Sequence, residues 1–82
     1  MARFYFHLRD GQDVLLDPEG VELEGLDRAR DQARHSARSI LAAEVLEGRV
    51  PLHMRIDVEN GSGAIVHGLP FTEAVEVISS DD

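Results

Sequence analysis

The stretch that decides the fold is LDRARDQARHSARSILAAEVLE, which runs from Leu26 to Glu47. Its apolar residues recur every three or four positions, the spacing that places side chains on one face of a helix. The members of this face are Ala29, Ala33, Ala37, Ile40 and Leu41. Because alanine is small, such a face allows a helix to approach a sheet closely. We therefore predict one helix here, ended near Gly48 and capped by Gly25 or Asp27, of which Asp27 is the better side-chain cap.

The segment before the helix has the pattern of strands and turns. Residues 3–9 alternate apolar and polar side chains, as a half-buried strand does. Asp10-Gly11 then predicts a tight turn into a second strand at 14–16, and the run 17–20 (Asp-Pro-Glu-Gly) predicts another turn. Residues 21–23 are either the far half of a bent second strand or a short third strand.

A second hairpin follows the helix. Residues 54–58 alternate apolar and charged side chains, 60–63 have the composition of a turn, and 64–69 return as a strand. Residues 72–78 fit either a helical turn that tucks Phe71 inward or a further edge strand. The helix is therefore bracketed by two hairpins.

The predicted fold is an α+β domain of order ββαββ, with a mainly antiparallel four-stranded sheet and one helix packed on one face. We place this domain at residues 1–78 and a disordered acidic tail at 79–82. With 82 residues the chain allows one domain, and a domain of this size buries only about 60–65% of its unfolded surface. The chain has no cysteine, so a partner subunit is the leading source of extra stability.

The charge of the chain excludes some classes of partner. Its 16 acids against 8 bases, all arginine, give a net charge of -8. Such a chain repels phosphate at long range, so we expect neither nucleic acid nor an anionic membrane as a partner. No apolar stretch approaches the roughly 20 residues that span a bilayer, and the absence of cysteine suits a reducing compartment. We therefore expect a cytoplasmic protein.

Two groups of residues are candidates for an interaction surface. A single helix covers one face of the sheet, so the residues of the first strand that point away from it lie on an uncovered face. On the helix, arginines at four-residue spacing form a stripe, although pairing with Asp27 and Asp31 makes a solvated face the simpler interpretation. The candidate surface is Arg3, Tyr5, His7, Arg9, Arg30, Arg34 and Arg38.

The sequence indicates no catalytic or cofactor site. His7, His53 and His67 on predicted strands are conceivable zinc ligands, but their spacing matches no metal motif, and scattered surface histidines are the simpler interpretation. The aspartates at residues 10–17 do not follow the calcium-loop pattern, and no serine has the context of a nucleophile. We predict no catalytic residue, no cofactor and no metal.

The opening RFYFHLRDG, residues 3–11, resembles a family of short bacterial domains of unknown function that begin with an aromatic cluster, a histidine, an apolar residue and Asp-Gly. The resemblance continues through DPEGVEL at 17–23, the alanine- and arginine-rich helix, and PFTEAV at 70–75. Relatives often have an acid where this chain has Gly25. The resemblance implies a bacterial cytoplasmic setting and no activity. A weaker likeness, at the level of fold alone, is to the acidic partial RNase-H-like antitoxins.

These observations support three hypotheses of function. The first is a non-enzymatic interaction module that self-associates as a homodimer. The second is an acidic regulatory or antitoxin-like partner of a basic protein. The third and weakest is a small metal-binding protein or enzyme that uses the histidines.

Overall fold

The computed structural model describes residues 1–80. Its elements, in chain order, are β1 (Ala2–Asp10), β2 (Asp13–Leu15), β3 (Val21–Leu23), α1 (Leu26–Leu46), β4 (Arg55–Glu59), β5 (Ile65–Pro70) and α2 (Phe71–Ala74). Ser79 and Ser80 have no regular secondary structure, and the other two residues of the predicted tail, 81–82, lie outside the described residues. No helix in residues 1–80 is long and apolar enough to cross a membrane.

All five strands form one antiparallel sheet, in which the long strand β1 has the most partners. β4 pairs with β1 from Tyr5 to Arg9, and β5 pairs with β4. β2 pairs with one end of β1, at Leu8–Asp10, and β3 with the other, at Ala2–Phe4. The α+β class and the single main helix are therefore confirmed, but the predicted number of four strands is wrong.

The fifth strand results from the turn that begins at Asp17. This turn interrupts pairing along β1 between β2 and β3, and the Asp17 side chain takes the place of a strand there. Its Oδ2 accepts the backbone N–H of Phe6 at 3.1 Å. Of the two alternatives for residues 21–23, the separate short strand is the correct one.

Helix α1 packs on one face of the sheet through the predicted alanine face. Ala29, Ala33 and Ala37 have no exposed surface, and Leu41 is buried. The small side chains bring the helix backbone close to the strands, so larger residues from other elements complete the core. These are Phe4, Met54, Ile56, Val58, Leu69 and Phe71, and the small Ala74 lies among them.

The ends of the helical segments decide two further points. Of the two predicted caps, Gly25 is the N-cap of α1. Asp27 lies in the first turn instead, where a carboxylate favours the positive end of the helix dipole. The region predicted as helical turn or strand begins with the one-turn helix α2, and the N–H of Phe71 donates to the carbonyl of Met54 at 2.9 Å.

The strand register determines which residues lie on the face opposite α1, called here the open face. Phe4 of β1 is buried on the helix side, so its odd-numbered neighbours project to the other side. Each cross-strand partner of these residues shares their face. The open face consists of Arg3, Tyr5, His7, Arg9, Val14, Glu22, Arg55, Asp57, Glu59, Ile65, Gly68 and Pro70.

Gly11→Val is expected to lower the free energy of unfolding by about 1–2 kcal/mol. Gly11 has φ 63° in the turn between β1 and β2, where a β-branched residue is strained. An added Cβ would meet no atom within 4 Å, so the backbone conformation alone causes the loss. The midpoint of chemical denaturation measures the effect. Gly61→Val, at an exposed turn glycine without positive φ, is the control, and equal midpoints for the two variants would contradict this explanation.

Candidate interaction surface

The centre of the open face is a buried carboxylate between two arginines. Asp57 on β4 is 6% exposed and is the only buried charged residue in the described part of the chain. Its Oδ2 accepts the Nε–H of Arg9, and its Oδ1 accepts the Nε–H of Arg55 at 3.0 Å and forms an ion pair with Nη2 of the same guanidinium at 2.9 Å. Because an unpaired buried carboxylate is costly, these arginines are what allow Asp57 to lie here.

Asp57 in turn holds the two arginines side by side. Arg9 and Arg55 are direct cross-strand partners, a placement in which like charges repel, and the carboxylate between them offsets that repulsion. About half of each arginine side chain is exposed, 45% for Arg9 and 48% for Arg55. Within residues 1–80, the Nη atoms of Arg9 and the Nη1 atom of Arg55 donate no hydrogen bond. The site therefore has oriented guanidinium groups with unused donors.

Gly68 on the neighbouring strand β5 makes room for this arrangement. A Cβ added at Gly68 would overlap Nη2 of Arg55 and lie 3.4 Å from Oδ1 of Asp57. The guanidinium of Arg55 thus lies directly across the glycine, where any larger residue would displace it. Residues from β1, β4 and β5 together build the site.

A second network joins His7 to residues on both sides of β1. The backbone N–H of Asp17 donates to Nδ1 of His7 at 3.1 Å, so Nδ1 is an acceptor and Nε2 carries the proton. Nε2 then donates to Oε1 of Glu59 at 3.0 Å. The His7 ring also stacks on Tyr5, with centroids 6.4 Å apart and planes 8° from parallel. With a side chain only 11% exposed, His7 positions its neighbours and contributes little contact surface of its own.

Asp17 fixes the turn beside this network. Its Oδ1 accepts the N–H groups of Glu19 and Gly20 at 3.2 and 3.1 Å, and its Oδ2 accepts that of Phe6. Burial is the largest single influence on the pKa of Asp17 and raises it. The three backbone donors and the nearby His7 together outweigh burial, so the pKa lies below its ordinary value of 3.8. The turn is therefore built around the charged carboxylate.

The residues of this surface lie within a segment that matches a known family. The model of the domain of unknown function DUF6894 matches residues 3–72. The chain belongs to the DUF6894 family. The predicted resemblance to short domains of unknown function is thereby confirmed, and the match includes every residue of the open face. No curated protein and no solved structure matches the chain.

The fold of this DUF6894 domain separates the two predicted groups of surface residues. Those on the open face are Arg3, Tyr5, His7 and Arg9. Those on α1, on the other side of the sheet, are Arg30, Arg34 and Arg38. Arg30 and Arg34 pair with the aspartates three residues before them at 3.7 and 3.1 Å, and Arg38 donates its Nε–H to the carbonyl of Ala74 at 2.7 Å. The helix arginines are thus paired locally and do not extend the open face.

The three histidines considered as zinc ligands also lie apart in the DUF6894 domain. His7 is on the open face, and His53, in the loop before β4, pairs with Asp10 at 2.6 Å. His67 lies on the helix side of the sheet, where burial and two helix arginines lower its pKa. In residues 1–80 there is no pocket and no group of three or more His, Cys, Asp or Glu side chains that could hold a metal ion.

Three central members of the open face, all on β4, are absent from the predicted surface: Arg55, Asp57 and Glu59. The signal was present, because these charged residues alternate with apolar ones at 54–58 and so share one side of a strand. The alternation does not determine the strand order of the sheet. Only the pairing of β4 with β1 brings these charges next to Tyr5, His7 and Arg9.

Proposed function

We propose that this domain is a non-enzymatic interaction module of the bacterial cytoplasm that binds a second copy of itself through the open face. The observation that carries the proposal is the composition of that face. The half-exposed arginines Arg3, Arg9 and Arg55 share this face with Tyr5 and the exposed Ile65. No helix or strand of residues 1–80 packs over the face. Tyrosine and arginine are the residue types that protein interfaces favour.

The charge of the open face supports a second copy as the partner. The chain as a whole carries -8 and would repel its own copies. The open face, however, contains three arginines (Arg3, Arg9, Arg55) and three acids (Glu22, Asp57, Glu59), so its net charge is zero. Two copies can therefore meet through this face without the repulsion that acts between other parts of their surfaces.

The size of the domain supports the same partner. Helix α1 covers one face of the sheet, and a domain this small gains stability by burying further apolar surface against another subunit. Two-fold dimers are the commonest closed assembly, and they place the same patch of both copies in contact. A sheet face with balanced charge and exposed apolar residues fits such an arrangement.

Ile65→Arg is expected to weaken the dimer at least tenfold, because it replaces an apolar residue of the contact with a charge. Ile65 is 54% exposed on the open face. Leu46→Arg, at the end of α1 away from that face, makes a similar change at an exposed residue and is the control. Light scattering over the micromolar range measures the dissociation constants. A wild-type chain that stays monomeric as its concentration rises would contradict self-association, and an unchanged constant for Ile65→Arg would exclude the open face.

A second candidate function is an acidic regulatory partner that masks a basic protein, as antitoxins do. The net charge of -8 favours it. This function requires a chain that is monomeric alone and that co-purifies with a basic protein. A wild-type dimer that forms without such a companion would favour the first function.

A further inference from the structure

The two arginines of the open face, Arg9 and Arg55, are held in fixed positions by their neighbours. Asp57, itself buried, orients both guanidinium groups through their Nε atoms, and Gly68 leaves the space that Arg55 occupies. A planar guanidinium with unused Nη donors binds a carboxylate with parallel, charge-assisted hydrogen bonds. A carboxylate is therefore the ligand class that fits this pair.

A suitable carboxylate lies on the same face of the sheet. Glu59 is four residues from Arg55 along β4, and its side chain is 32% exposed. Its Oε1 accepts the Nε2–H of His7, whereas its Oε2 accepts no hydrogen bond from the residues that the structure describes. Because His7 fixes Oε1, the position of Oε2 is restricted as well, and Oε2 can accept a hydrogen bond from a donor outside the chain.

The strand register makes the open face complementary to itself in one orientation. The pairs Tyr5–Glu59, His7–Asp57 and Arg9–Arg55 follow one another along β1 and β4. Consider two copies stacked with their open faces in contact, related by a two-fold axis that lies between the sheets, perpendicular to the strands, at the His7–Asp57 pair. This axis places Arg55 of each copy opposite Glu59 of the other copy, and Arg9 opposite Tyr5. Both contacts are favourable, the second as a cation–π pair. A two-fold axis along the strands would instead stack the arginine pairs on each other.

We propose that Arg55, held beside Arg9 by Asp57, forms a carboxylate-binding site that receives Glu59 of a second copy stacked antiparallel on the open face, while Arg9 lies over Tyr5 of that copy. This inference rests on the self-association proposed above and specifies its geometry. Each dimer contains the site twice, with His7 and Asp57 of both copies near the axis. Formation of the dimer then depends on the charge of Glu59 as well as on apolar contact.

Charge changes at Glu59 provide the first test. Glu59→Lys is expected to weaken the dimer at least tenfold, whereas Glu24→Lys, the same change at an exposed residue outside the open face, should have little effect. Glu59→Gln retains an oxygen that accepts from His7 but replaces the charged second oxygen with a neutral NH2 group. It therefore tests the loss of the charged acceptor in a side chain of the same size. Sedimentation equilibrium measures association, and thermal melting checks folding. A folded Glu59→Gln dimer with the wild-type dissociation constant would overturn the proposal.

Distances between spin labels provide the second test. Because the chain has no cysteine, a label attaches only to a cysteine that is introduced. Ser62 is exposed in the turn between β4 and β5, beyond the Glu59 end of the sheet. With 3.4 Å per residue and sheets about 10 Å apart, labels at Ser62→Cys should be about 30 Å apart across the antiparallel dimer. An axis along the strands would bring them to about 15 Å. A label separation of about 15 Å would overturn the carboxylate site alone. If no dipolar coupling between labels on different copies is detected, self-association is overturned as well.

Discussion

Replacing Ala33 with aspartate is expected to lower the free energy of unfolding by about 4 kcal/mol, a large share of the total stability of a domain this size. Ala33 has no exposed surface and belongs to the core between α1 and the sheet. A carboxylate there would have neither water nor a cationic partner, and its volume would push the helix away from the strands.

Chemical denaturation followed by circular dichroism measures this loss. Ala43→Asp is the matched control, because Ala43 is an exposed alanine of the same helix and receives the same charge. We expect the control to lower the free energy of unfolding by only about 1 kcal/mol, because aspartate is a poorer helix former than alanine and lies near the negative end of the helix dipole. If Ala33→Asp melts like Ala43→Asp, the alanine face does not pack on the sheet.

The helix and its buried face were predictable because their signals are local. The spacing of Ala29, Ala33 and Ala37 determines one face of a helix, whatever that face packs against. The alternation of residues 3–9 similarly places Phe4 and Tyr5 on opposite sides of a strand before its neighbours are known. Both patterns involve residues close together in the chain, and the structure agrees with both.

The candidate site was harder to predict because its parts are distant in sequence. Asp57 meets Arg9 across 48 positions, and His7 meets Glu59 across 52. Those contacts depend on which strand lies beside β1, and the alternation of β4 is compatible with several strand orders. The strand β3 is one of the two alternatives that the sequence leaves open for residues 21–23, and the choice between them has a related cause. The composition of residues 17–20 predicts only a turn at Asp17, whereas its carboxylate also accepts the backbone N–H of Phe6 in the neighbouring strand.

This double role makes Asp17→Ala the second substitution with a large expected effect, a loss of about 3 kcal/mol at neutral pH. The change removes the acceptor of three backbone N–H groups, those of Phe6, Glu19 and Gly20. It thereby loosens the turn and the part of β1 between β2 and β3. Asp13→Ala, which removes a nearby exposed aspartate, is the control and should change the free energy of unfolding by less than about 0.5 kcal/mol.

The pH dependence of the same pair of variants tests the cause of that loss. The pKa of Asp17 is lower in the folded chain than its ordinary value of 3.8, so folding favours the charged form. Its contribution is then fully present above pH 3.8 and is lost as the pH falls through the folded pKa. The difference in stability between wild type and Asp17→Ala should therefore be constant near neutrality and shrink in acid, whereas Asp13→Ala should follow the wild type. A difference that stayed constant into acid would show that the shape of the side chain, rather than its charge, supports the turn.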